Sequence, residues 1–189
     1  MHLFIEALNN PTEAFKRRNS KTSWLLVLLT ILVVTVFDPI INYFANKSNF
    51  NVAIDVVKML WLSLLGCISY LAICSTFWII CKVFGSETPF TSYFRSWGIS
   101  YIPTLICAVC VALAETFFYL FWNNSIFAMV LSIVFVAISI WKCILYILFL
   151  REVAQLKGKR MACAFIVCGL IILVLAFLNM YVGLKTPIM

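Results

Sequence analysis

Histidine is nearly absent from this chain: His2 stands alone among 189 residues. A Cys/His zinc site and a Ser–His nucleophile pair therefore have almost nothing to draw on. No Gly-x-Ser-x-Gly, His-Glu-x-x-His or glycine-rich phosphate loop followed by Lys-Ser/Thr occurs, and no paired aspartates stand at the spacing of an intramembrane protease. Charge is scarce too, at 11% of residues, while 65% are hydrophobic and the mean hydropathy is +1.08. Soluble domains carry roughly 25% charged residues, so this composition does not make a water-facing globular surface. Catalytic residues, a metal centre and a cofactor are not expected.

What the chain has in quantity is long apolar runs, at about 24–44, 59–84, 101–121, 126–150 and 162–184. A helix needs roughly 20 apolar residues to cross the ~30 Å hydrocarbon layer. In lipid every backbone N–H and C=O must be satisfied internally, and runs without alternation exclude a barrel. The expected fold is therefore all-α: one polytopic bundle of five transmembrane helices covering 24–189, preceded by a cytoplasmic amphipathic elbow at 1–23, with short interfacial helices on the cytoplasmic side.

The net charge of +7 is distributed as a topology signal. Lys16, Arg17, Arg18, Lys21, Lys82, Arg95, Arg151, Lys157, Lys159 and Arg160 fall on one side of the five spans; Lys47, Lys58 and Lys185 fall on the other. Positive loops stay cytoplasmic, which puts the N-terminus inside and the C-terminus outside, with affinity for anionic lipid heads on the inner face. No aromatic and basic surface outside the membrane is left to hold nucleic acid. Of the eight cysteines, Cys67, Cys74, Cys81, Cys107, Cys110, Cys143 and Cys168 lie within spans and Cys163 at the edge of one. They do not read as the disulfide framework of a small secreted domain. The first span lacks a small-residue exit site and is expected to remain as a helix.

Two connections carry pattern. At the N-terminus Asn10-Pro11 breaks a short amphipathic turn, and Pro11 suits the first position of a new helix, which carries Phe15, Lys16, Arg17 and Arg18. The stretch from Gly85 to Gly98 places Phe90, Tyr93, Phe94 and Trp97 at i, i+3, i+4 and i+7, with Arg95 among them. That spacing predicts a short helix whose aromatic face presses into the interface, capped by Thr88 or Ser86 and stopped by Gly98. Pro103 then starts or kinks the third span.

Asn10-Pro11 with Phe15, Phe84-Gly85, the aromatic helix, Gly98 and Pro103, leading into five spans entered from the cytoplasm, together resemble the Yip-domain family. Its members are Ypt/Rab-interacting membrane proteins and their bacterial relatives. The long cytosolic N-terminal region and the Asp-Leu-Tyr-Gly-Pro motif of eukaryotic members are not found here, and Ile99 follows Gly98 where members often have an aromatic. The resemblance is to the short prokaryotic form and implies a bacterial or archaeal cell membrane; it carries over neither Rab binding nor vesicle traffic.

Three ionisable residues fall inside predicted spans: Asp38, Glu115 and Lys142. Such residues are functional candidates by default. Asp38 and Glu115 each lie about 14 residues in, roughly 21 Å deep at ~1.5 Å per residue, where two carboxylates at one level could share a proton or hold a cation. The plainer alternative has both reaching the outer interface. Lys142 is expected to snorkel toward the cytoplasm. Ala162, Gly169, Ala176 and Gly183 repeat every seven residues and predict a helix-packing seam, buried or between copies of a homo-oligomer. The resulting expectation is a non-enzymatic, Yip-like membrane-organising or partner-binding element. Its surface would join Asn10, Pro11, Phe15, Arg17 and Arg18 to Phe90–Trp97 and to Lys157, Lys159 and Arg160, facing anionic lipid or a peripheral or membrane protein partner. The alternative is a small ion- or proton-coupled transporter using Asp38 and Glu115.

Overall fold

A computed structural model describes residues 9–17, 20–37, 40, 56–116 and 123–182. Every regular element among them is helical: α1 (Pro11–Arg17), α2 (Ser20–Leu32), a π-helical turn (Val33–Phe37), α3 (Val56–Val83), α4 (Phe90–Ser96), a 3-10 turn (Trp97–Ser100), α5 (Tyr101–Thr116), α6 (Ser125–Glu152) and α7 (Gly158–Val182). Four helical runs are long and apolar enough to cross a membrane: Val56–Val83, Phe90–Ala114, Ser125–Glu152 and Gly158–Leu178. A shorter apolar helix covers Ser23–Val36. The 28 residues of α3 and of α6 extend about 42 Å at ~1.5 Å per residue, enough to cross the hydrocarbon and enter both headgroup layers.

Neighbour relations close a ring in the order α2, α5, α6, α7, α3 and back to α2. The α4 segment and the 3-10 turn pack against α2 and α3 and against one another, and the turn also touches α6 and α1. This segment fills the interior at one end of the ring. That end also collects α1, the close of α3, the close of α6 and the start of α7, and it carries Lys16, Lys21, Lys82, Arg95, Arg151, Lys157, Lys159 and Arg160. We refer to it as the basic end. At the other end of the described helices Lys58 is the only cation.

Local chemistry explains several element boundaries. Pro11 opens α1 at its first position, and Asn10 Oδ1 accepts from the Glu13 amide at 3.4 Å, as the Asn-Pro pair predicts. Gly85, at φ 92°, closes α3: the Ser86 amide donates to the Cys81 carbonyl at 2.9 Å, a six-to-one closure that needs a left-handed residue. The π-helical turn directly precedes Asp38-Pro39 in sequence. Proline has no N–H for the carbonyl four residues back, Thr35, and its ring crowds that carbonyl. Within the turn the Thr35 hydroxyl donates to Ile31 O at 2.8 Å and shares a 2.9 Å hydrogen bond with Ser63 of α3.

Two expectations are corrected between α3 and α5. Gly98 does not stop a helix. Ser96, Trp97 and Tyr101 all hold right-handed helical angles, and the chain runs from Phe90 to Thr116 through the 3-10 turn. Nor do Ser86 or Thr88 cap α4, whose N-cap position is held by Pro89 with no side-chain hydrogen bond. Ser86 Oγ instead shares a 2.9 Å hydrogen bond with Tyr93 Oη, and Thr88 Oγ1 donates to Val153 O at 2.9 Å. Both hydroxyls tie the connection inward to the bundle.

Candidate functional site

The aromatic face of α4 is core. Tyr93 and Trp97 are fully buried, and Phe90 and Phe94 half-buried. The Trp97 ring lies 4.4 Å from Phe77, 4.8 Å from Phe149 and 5.0 Å from Tyr146; Tyr93 meets Phe149 at 5.5 Å. Phe15 of α1 reaches into the same cluster, 5.8 Å from Phe149 in an edge-on contact, and is also fully buried. A second cluster joins Phe94 to Trp24 at 4.6 Å and to Tyr70 at 5.5 Å, with the Tyr70 hydroxyl donating to Phe94 O at 2.6 Å. Edge-on and tilted pairs of this kind are favourable beyond the area they bury. The rings expected to face the interface or a partner are thus taken up by the protein's own interior. Phe15, Tyr93 and Trp97 present no surface, and Arg95 is the exposed residue of the set.

The basic residues are arranged differently. After α6, the amides of Val153 and Ala154 both reach the Phe149 carbonyl, and the Leu156 amide donates to Leu150 O at 3.1 Å. Val153, Ala154 and Leu156 are buried, and Gln155 and Gly158 take left-handed backbone at φ 56° and 57°. This tight connection, held also by Thr88, leaves Lys157, Lys159 and Arg160 exposed on a fixed frame. Lys159 and Arg160 belong to the first turn of α7. Arg160 Nη1 lies 3.2 Å from where a Cβ on Gly85 would stand, so its guanidinium covers the C-terminal turn of α3. A cation there complements the partial negative charge of a helix end. Lys82, in that last turn, lies over the Trp78 ring at 4.9 Å.

The remaining candidates are placed as follows. Lys142, half-buried on α6, donates to Thr104 Oγ1 on α5, a partner that sequence reasoning missed although Thr104 is a hydroxyl inside an apolar run. Glu115 follows Thr104 on α5 by 11 residues, about 16 Å along the axis at ~1.5 Å per residue, so Lys142 is engaged at another level of the bundle. Asp38, Arg18 and Gly183 lie outside the described residues, as do the side chains of Arg17 and Glu115. Of the small-residue stripe on α7, Ala162 and Gly169 are exposed and Ala176 is half-buried; nothing stands within 4 Å of a Cβ built on Gly169. Inside the bundle α7 is represented instead by Ala164 and Cys168. No group of three or more His, Cys, Asp or Glu among the described residues could hold a metal ion.

A helical bundle of this make-up, entered through an Asn-Pro-capped helix and folded around an aromatic re-entry between α3 and α5, matches the family model described as Yip1 domain over residues 5–178. The chain belongs to the Yip1 domain family. No curated protein and no solved structure matches it. This Yip1-domain chain is a membrane protein with several spanning-capable helices, and its apolar exterior contacts the bilayer. Membership assigns neither a partner nor a substrate. It makes the aromatic cluster and the basic end two parts of one domain and leaves their roles to be argued from the geometry.

Proposed function

We propose that this Yip1-domain protein is a non-enzymatic membrane element that holds a peripheral partner or anionic lipid on the cytoplasmic face through its basic end. The observation that carries this reading is the frame under Lys157, Lys159 and Arg160. Buried Val153, Ala154 and Leu156 and the Thr88 hydrogen bond hold the backbone that carries exposed Lys157 and Lys159, with exposed Arg160 beside them against Gly85. A fixed charged surface loses less side-chain and loop freedom on binding than a mobile one does. Positive charge is retained on the cytoplasmic side, so the basic end faces inward, where acidic lipids concentrate.

The test is reversal of Lys157, Lys159 and Arg160 to Glu in protein shown to be correctly inserted. Retention of acidic lipid and chemical crosslinking to neighbours are then compared in native membranes. Loss of acidic-lipid retention at this end, or of one stoichiometric crosslinked protein, is expected. Unchanged lipid and crosslinking patterns would end the proposal.

A further inference from the structure

A cleft of about 100 Å³ opens on the outside of the bundle between α2, α3 and α4, lined by Trp24, Val27, Leu28, Ile31, Tyr70 and Phe94 together with Cys67 and Leu71. Its exposed lining is wholly apolar. The α2 side runs from Trp24 to Ile31, about 10 Å at ~1.5 Å per residue. An apolar cleft left unfilled forfeits the dispersion contacts of its walls. A helix with its side chains is about 10–12 Å across, more than a cleft of about 100 Å³ takes in. A chain of methylenes fits it.

Two cations of the basic end adjoin this lining along the chain and supply the second half of a site. Lys21 stands one turn before Trp24 on the same face of α2, and Arg95 follows Phe94, whose ring is 4.6 Å from that of Trp24. Both cations are exposed, and neither forms an ion pair among the described residues. Trp24, half-buried in the lining, is the residue type that settles at the headgroup level.

We infer that this cleft is a seat for one anionic glycerophospholipid of the bilayer, with an acyl chain in the slot between α2 and α3 and its phosphate held by Lys21 and Arg95. It uses none of Lys157, Lys159 and Arg160, so the two proposals fail separately. The seat explains why the Trp24–Tyr70–Phe94 cluster is built as a wall facing lipid, whereas the Phe15–Trp97–Phe149 cluster is closed.

The experiment reconstitutes the full chain in nanodiscs of equal phosphatidylglycerol and phosphatidylcholine, then counts retained lipid by native mass spectrometry. A phosphatidylglycerol or a phosphatidylcholine with a photoreactive acyl chain maps the contact. One phosphatidylglycerol per chain is expected to crosslink to the segments 24–31 and 67–71, which lie apart from Lys157, Lys159 and Arg160. Lys21→Glu with Arg95→Glu removes two cations at the surface, each worth about fivefold in attraction to an acidic lipid, so crosslinking at these segments falls by at least about 25-fold. Leu28→Trp fills the slot from an exposed position, leaves the cations in place and also expels the lipid. Equal crosslinking of the two lipids to these segments in the unaltered protein, crosslinks only elsewhere, or unchanged crosslinking at these segments in either variant overturns the proposal.

Discussion

Gly98 shows how much one missing methyl group can matter. Its Cα lies against Ser23, and a Cβ there would overlap the Ser23 backbone carbonyl and hydroxyl. Backbone cannot rotate away as a side-chain tip can, so α2 and the 3-10 turn would have to separate. Gly98→Ala is expected to cost about 1–3 kcal/mol, the usual range for overpacking a tight interior, read as an earlier unfolding transition in purified protein. Gly169→Ala is its internal control. Open space surrounds that position, so the melting point should hold or rise slightly with the better helix propensity of alanine. Equal losses at both sites would show that loss of helix flexibility, and not the Ser23 contact, is what the substitution reports. The sequence pointed the other way, giving Gly169 to a packing seam and Gly98 to a helix stop, because close approach is a property of the partner and not of the residue.

At the level of elements, the connection from α6 to α7 is held by one side chain from another loop. Thr88 Oγ1 donates to Val153 O, linking residues 65 apart in the chain. Thr88→Val keeps the shape and removes the donor, leaving a buried carbonyl short of a partner. The expected loss is about 1 kcal/mol, and trypsin should cut faster at Lys157 because residues 153–157 open more often. An unchanged cleavage rate would mean that the buried Val153, Ala154 and Leu156 suffice to hold the connection. The helices themselves were legible in the sequence because each satisfies its own backbone in lipid, and the Asn10-Pro11 start of α1 was legible because its capping is local. The direction of the α4 rings was not. Phe90, Tyr93, Phe94 and Trp97 define a face by spacing alone, and spacing does not say whether lipid or protein lies against it. In water the apolar face must turn inward; in a membrane both sides are apolar, and the arbiter is packing with Phe77, Phe149 and Phe15, far away in the chain.

For the whole molecule the same ambiguity leaves charge as the feature that fixes orientation. Burial is uneven: only 11% of the apolar stretch of α7 is buried, against 56% of Phe90–Ala114. The ring is thus closed around its best-buried run, Phe90–Ala114, by helices that mostly face lipid, and apolar contact alone does not distinguish one end of it from the other. The cations do. Lys16, Lys21, Lys82, Lys157 and Lys159 gather where α3 and α6 end, and Lys58 begins α3 at the opposite end. Moving that set through the hydrocarbon would cost several kcal/mol per charge near the centre, so the insertion decision, once made, is kept. A membrane-impermeant amine reagent applied to sealed inverted vesicles should therefore label Lys157 and Lys159 and spare Lys58, with the reverse in right-side-out vesicles. Peptide mass spectrometry reads both sets in one digest. Labelling of Lys58 together with Lys157 from the same side would contradict the bundle itself, since the 28 residues of α3 separate the two ends by more than the ~30 Å hydrocarbon thickness. Labelling in the opposite sense would leave the fold standing. It would, however, remove the basic end from the cytoplasm and with it the reading of Lys157, Lys159 and Arg160 as a surface for cytoplasmic partners.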